Sequence, residues 1–192
     1  TVRIVSGYSD VIVVRHFESG ASKRAAAVSD IPVINAGDGA GQHPTQALLD
    51  MYTIDREIGR IDGLSIAMVG DLANGRTVRS LCYLLTKYDL AKIFFVAPEV
   101  VSMKDDIKAY LDRYQVPFEE KEDLHEVATK VDVIYQTRIQ RERFGDRAHE
   151  YERARGRYVV DQELMTHLRH DAVVMHPLPR VDDCLLYTSP SP

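Results

Sequence analysis

Short apolar runs recur along the chain, and the segments between them follow a different period. The runs DVIVV (10–14), IPVIN (31–35), LSIAMVG (64–70), KIFFVA (92–97), VDVIYQ (131–136), RYVV (157–160) and AVVMH (172–176) have strand length and are rich in β-branched residues. Near-continuous apolar character, rather than strict alternation, predicts strands covered on both faces, as in a parallel sheet with helices packed against it. Past His43, the residues Leu48, Met51, Tyr52 and Ile58 fall in one sector of a helix. They predict a packed stripe, with Asp50, Thr53 and Glu57 facing elsewhere. Pro44 suits the first turn of that helix, where a missing N–H costs nothing. A second helix is expected from Thr77 through VRSLCYLLTKY, and a third over 103–114, MKDDIKAYLDRY.

The alternation predicts an α/β protein of two lobes, each a parallel sheet flanked by helices. The turn-like stretch GRIDG (59–63) marks the boundary, giving lobes 1–60 and 61–183. The run DVIVV reads as a finished buried strand very close to Thr1, so the first lobe is expected to be truncated. At the other end CLLYTSPSP changes abruptly to Ser and Pro, and 184–192 is expected to be a non-native tail.

Composition narrows the class. In 192 residues, 45% are hydrophobic and 28% charged, enough for a substantial core, and the formal net charge is −5. That balance argues against a dedicated nucleic-acid or anionic-membrane surface while leaving room for local anion pockets. No apolar run approaches the roughly 20 residues that span a bilayer, and the first residues lack a signal-peptide pattern, so a cytoplasmic location is expected. Two cysteines, Cys82 and Cys184, form neither a disulfide framework nor a metal cluster and are read as reduced thiols.

The candidate chemistry lies at the strand tips. Ligands of open parallel sheets sit outside the carboxyl ends of the strands, where loops converge and helix N-termini point inward. Arg15-His16 follow the first run, a Gly-rich loop with His43 follows the second, and Asn74 and Arg76 follow the third. Thr137-Arg138 and His176-Pro177 follow two later ones. Three arginines at one edge imply a ligand with more than one anionic group, because a guanidinium grips carboxylate or phosphate through paired hydrogen bonds.

Taken singly, each residue also has a plainer role. His43 could be a helix cap, Arg76 a surface arginine, Gln140 an exposed side chain, and HPLPR (176–180) a rigid turn. The mixed-charge segment 138–157 reads mainly as a solvated loop. GDLANGRT (70–77) matches a phosphate-loop pattern except that Arg76 replaces its lysine, and a broad planar fork does not replace a compact charge between phosphates. No G-x-G-x-x-G follows a strand, and no zinc-ligand spacing is present.

Together, the RH pair at 15–16, NAGDGAGQHPTQALLDMYTI, GDLANGRTVRS, YQTRIQRERF and HPLPRVDD resemble the catalytic chain of the aspartate carbamoyltransferase family over residues 1–183. The resemblance implies transfer of a carbamoyl group from carbamoyl phosphate to the amine of L-aspartate in de novo pyrimidine synthesis, with no cofactor and no metal. It implies that Arg15 binds carbamoyl phosphate and that His43 donates to its carbonyl oxygen. Gln46 would contact the carbamoyl group, Arg76 and Arg138 would hold the two carboxylates of aspartate with Gln140 assisting, and the backbone of Leu178 and Pro179 would meet the carbamoyl amide and the incoming amine.

The sister ornithine enzyme resembles this chain but has His-Cys-Leu-Pro where His176-Pro177-Leu178-Pro179 stand here. An arginine such as Arg138 facing an ammonium would be repelled. The resemblance also implies a homotrimer with shared sites, with regulatory chains or fused pyrimidine enzymes as further partners, and neither nucleic acid nor membrane. The family's Ser-x-Arg-Thr motif falls upstream of everything present, so the 192 residues alone are expected to be inactive. A non-catalytic homologue that binds amino acids is the competing class; it would have lost these residues, and this chain keeps them.

Overall fold

The structure, a computed structural model, describes residues 1–90, 92–139 and 158–178. After a short helix α1 (Val2–Ser6), strand β1 (Ile12–His16) passes through α2 (Ala21–Ala26) to β2 (Val33–Asp38), and the two strands pair in parallel. Helix α3 (Pro44–Ile58) then leads to a second sheet. It ends at Gly59, whose left-handed conformation closes the last turn.

The second sheet contains β3 (Ser65–Val69), β4 (Lys92–Val96), β5 (Phe118–Lys121), β6 (Val133–Gln136) and β7 (Val173–Met175). Their order is β5-β4-β3-β6-β7, and every pairing is parallel. Helices α4 (Arg76–Leu85), α5 (Asp105–Arg113), α6 (His125–Ala128) and α7 (Gln162–His167) cover its faces. One face buries Ile66 and Met68 of β3 against Leu81, Leu85, Ile107 and Leu111. The other buries Ala67 and Val69 against Val127 and Leu164. Period-2 alternation in a strand apolar on both sides thus feeds two cores, each fully buried Ile or Leu contributing about 1.5–3 kcal/mol. The α/β class and its parallel sheets agree with the sequence pattern.

This order places the functional edge. From β3 the chain moves to β4 on one side, and β6 lies on the other side of β3. The carboxyl ends of β3 and β6 therefore flank the point where the connections diverge and leave a crevice.

Four readings of local structure need correction. First, α3 buries Ala47, Asp50, Met51 and Ile54, while Leu48 and Tyr52 are 60% and 64% exposed. The stripe is rotated because Asp50 belongs to it: its carboxylate accepts hydrogen bonds from Tyr135 Oη and Gln46 Nε2, which makes burial of a charge tolerable. Second, β1 is not covered on both faces; Val13 is 62% exposed. Third, Tyr158 and Val160 are buried beside Ile134 and Leu164, yet among the described residues no strand is extended there and Val160 forms only an isolated bridge. Fourth, β5 went unread because its sequence FEEK is that of a polar edge strand, tied to its neighbour by Lys92 and Glu119 at 2.6 Å. The segment 141–157 and the tail 184–192, with Cys184, lie outside the described residues. Cys82 is a buried free thiol, pushed up to about 12 by desolvation.

Gly70, which ends the third run, has φ +109°, and a Cβ there would lie 2.1 Å from the Thr137 carbonyl oxygen. Strain and overpacking together predict that Gly70→Ala destabilises the protein by about 2–3 kcal/mol. Chemical denaturation should show this as a lower midpoint at unchanged slope.

Candidate active site

Sheet geometry brings the arginine loops together. Past β3, Asp71 is buried and accepts from the backbone N–H and Nδ2 of Asn74, both at 3.1 Å, which folds the loop so that α4 starts at Arg76. A cation in the first helical turn opposes the positive end of the helix dipole, so the position is chosen against local stability. The Arg76 guanidinium reaches the first lobe, where Nη1 donates to the Gly39 carbonyl at 2.9 Å. It can lie there because residue 37 is glycine, with φ +115°: a Cβ would stand 3.2 Å from Arg76 Cζ.

Arg15 is the penultimate residue of β1 on the facing lobe, and Arg138 follows β6 by two residues. Between β6 and Arg138, Thr137 Oγ1 donates to the Val69 carbonyl at 2.7 Å and ties the tips of β3 and β6. Arg15, Arg76, Thr137, Arg138, Pro177 and Leu178 are among the residues lining one cavity of about 350 Å³. Its cationic walls can take two or more anionic groups of a small ligand.

His43 caps α3 beside this cavity. Its Nδ1 accepts from the Gln46 backbone N–H at 3.3 Å, so a neutral ring carries its proton on Nε2. Its own backbone N–H donates to Ser80 Oγ at 2.8 Å, and Ser80 Oγ donates to Gln42 Oε1 at 2.7 Å, joining the Gly-rich loop to α4. Burial, then the positive charges of Arg76 and Arg15, hold the imidazole below its ordinary value of 6.5. At neutral pH it is therefore an uncharged donor.

The sign of the linkage follows. Because the folded state disfavours the imidazolium, the stabilisation from neutral His43 is complete above pH 6.5 and is lost as pH falls through the lowered folded value. NMR titration of the ring nitrogens should show the Nε2–H tautomer at pH 7 and a midpoint below 6.5. A midpoint above 6.5 would contradict the described electrostatics.

Of the expected site residues, Arg15, Arg76, Arg138 and Leu178 meet at the cavity, with His43 next to it. Gln46 sits one turn along α3 with its Nε2 directed to Asp50 Oδ1 at 2.9 Å. Gln140 and Pro179 lie outside the described residues. His16 accepts from the Glu18 backbone N–H and stacks on Phe17. The sequence reading did not find Ser80 or the Asp50–Tyr135 pair. Only the i, i+4 spacing of Gln46 and Asp50 on one helix face could have signalled the last.

Among the described residues, no group of three or more His, Cys, Asp or Glu side chains could hold a metal ion. Nor is any helix there long and apolar enough to cross a membrane.

A doubly wound parallel sheet joined to a second parallel sheet, with arginines from both lining one cavity, defines a class of two-lobed α/β proteins with a cationic crevice at the strand tips. The family model for the aspartate/ornithine carbamoyltransferase carbamoyl-P binding domain matches residues 1–56, and that for the Asp/Orn binding domain matches residues 62–185. The chain belongs to the aspartate/ornithine carbamoyltransferase family.

The chain is 64% identical over 192 residues to the chloroplastic aspartate carbamoyltransferase of Oryza sativa subsp. japonica, covering all of this chain and 53% of that protein. To the chloroplastic enzyme of Arabidopsis thaliana it is 65% identical over 183 residues, covering 95% and 47%. Among solved structures it is similar to the aspartate transcarbamoylase of Trypanosoma cruzi in complex with N-(phosphonacetyl)-L-aspartic acid. That match has a TM-score of 0.88 and 41% identity, and covers 95% of this chain and 59% of that one. The chain thus spans about half the length of the curated relatives it matches. The expectation of a cytoplasmic location is corrected by these relatives: the two plant proteins are chloroplastic, which points to a plastid instead.

Proposed function

We propose that the complete protein carrying this chain is an aspartate carbamoyltransferase that forms N-carbamoyl-L-aspartate and phosphate from carbamoyl phosphate and L-aspartate, within de novo pyrimidine synthesis in a plastid. The convergence of Arg15, Arg76 and Arg138 on one cavity beside a neutral His43 carries this reading. One substrate brings a phosphate and the other two carboxylates, and three guanidinium groups match that charge.

In this mechanism Arg15 grips the phosphoryl group, while Arg76 and Arg138 hold the aspartate carboxylates, Gln140 assisting. The amine then attacks the carbamoyl carbon. His43 Nε2–H donates to the carbonyl oxygen as it becomes an oxyanion, and Gln46 contacts the carbamoyl group. The new C–N bond forms, the C–O bond to phosphate breaks, and the leaving phosphate takes the amine proton. Leu178 and Pro179 present backbone to the carbamoyl amide and the amine. Two activated, positioned reactants need no cofactor or metal.

Arg138, and Pro177 in place of a cysteine, favour aspartate over ornithine, whose side-chain ammonium would face a guanidinium. We place residues 1–60 in the carbamoyl phosphate lobe and 61–183 in the aspartate lobe, and the protein in a homotrimer with shared sites. The test is product formation by the complete protein with carbamoyl phosphate and either amino acid. Carbamoyl-aspartate should accumulate, inhibited by N-(phosphonacetyl)-L-aspartate; citrulline from ornithine, or no product, would overturn the reading.

A further inference from the structure

We infer that Asp50 is a positioning residue that fixes which end of the Gln46 amide meets the carbamoyl group, so that the site tells a carbamoyl –NH2 from a methyl. The inference rests on the reading above. A primary amide can turn over, offering either an acceptor or a donor at the same place. In the structure Gln46 Nε2 is committed to Asp50 Oδ1 at 2.9 Å. What Gln46 can then present is its carbonyl Oε1, an acceptor suited to the –NH2 of carbamoyl phosphate and useless to the methyl group of acetyl phosphate.

Asp50 is built for this task. It is 3% exposed, and its second oxygen, Oδ2, accepts from Tyr135 Oη at 2.6 Å. Burial pushes the Asp50 carboxyl above its ordinary value while the hydrogen bonds from Tyr135 and Gln46 pull it down, and with both oxygens accepting, it is the Gln46 –NH2 and not Oε1 that faces it. Tyr135 stands on β6 of the second sheet, Asp50 on the helix leaving the first lobe, and Gln46 three residues past His43. The orientation of an amide in one lobe is therefore locked by a hydroxyl of the other.

Asp50→Asn reverses the logic with almost no change of shape. Tyr135 can still donate to the new Oδ1, which leaves Nδ2 as a donor facing Gln46 and favours the flipped amide, whose –NH2 then meets the substrate –NH2.

The experiment measures dissociation constants of carbamoyl phosphate and acetyl phosphate for the complete protein and its variants, by calorimetry, with thermal unfolding of each. Wild type should prefer carbamoyl phosphate by about tenfold, the value of one hydrogen bond plus the avoided mismatch. Asp50→Asn should reduce that preference to about one, leaving acetyl phosphate binding nearly unchanged. Gln46→Ala should do the same, and Asp50→Asn added to Gln46→Ala should change the ratio no further. Asp50→Ser, which leaves room for a water beside Tyr135, also frees Gln46 and should lose the preference if Asp50→Asn does not fold. A merely structural Asp50 would weaken both ligands equally or lower only the melting temperature, and a retained preference in folded Asp50→Asn or Asp50→Ser overturns the inference. Failure of wild type to bind carbamoyl phosphate at all would overturn the functional reading itself, and this one with it.

Discussion

Arg76→Ala in the complete protein should lower kcat/KM for aspartate by about a thousandfold while leaving thermal stability level or slightly raised. The two effects have different origins. Removing a guanidinium leaves a substrate carboxylate desolvated without its partner, a loss of about 2–5 kcal/mol, and each 1.36 kcal/mol is a factor of ten. For folding, Arg76 occupies the first turn of α4, where its charge opposes the helix dipole and where alanine has the better helix propensity. Against these gains stands the hydrogen bond that Arg76 donates to the Gly39 carbonyl, worth about 1 kcal/mol. Arg76→Lys keeps the charge but not the fork, so it should fall between wild type and alanine. Steady-state kinetics with aspartate varied, beside thermal scans of the same samples, separates the two. A large fall in melting temperature accompanying the loss of activity would make Arg76 a structural residue and sink the assignment.

The same residue shows what the sequence could reveal. Arg76 is legible because it follows a strand-length apolar run, and its placement beside Arg15 and Arg138 follows from the parallel-sheet rule that strand tips share an edge. Strands β3, β4 and β6 were readable because burial on both faces forces continuous apolar runs. Strand β5 was not, because an edge strand paired on one side tolerates Glu119, Glu120 and Lys121.

The burial of Asp50 was hidden for a deeper reason. A carboxylate enters a core only when distant partners satisfy it, and Tyr135 lies 85 residues away. Periodicity reports the average apolar face of a helix and carries no information about such pairs. The tie between His43 and Ser80, separated by 37 residues, escaped for the same reason. Location followed another logic, since a compartment is not encoded in the packing of a catalytic fold, and relatives rather than composition corrected it.

His43→Asn should cost about 10²–10³ in kcat, or about 2.7–4 kcal/mol of transition-state stabilisation, the loss typical of one oxyanion donor. Asparagine is chosen because it is as good an N-cap as any residue, so α3 keeps a side-chain acceptor for the Gln46 backbone N–H. The shorter side chain no longer carries a donor as far as imidazole Nε2. His43→Ala, which also loses the cap, should show the same loss of kcat plus about 1 kcal/mol of stability. The pH dependence provides an independent check. Since neutral His43 stabilises the fold above pH 6.5 and less below it, His43→Asn should lose less stability than wild type between pH 7 and pH 5. A variant that kept kcat and only raised KM for carbamoyl phosphate would show that His43 holds the ground state and transition state equally. In that case the imidazole would be a binding group, and the oxyanion would have to be stabilised chiefly by the guanidinium groups around it.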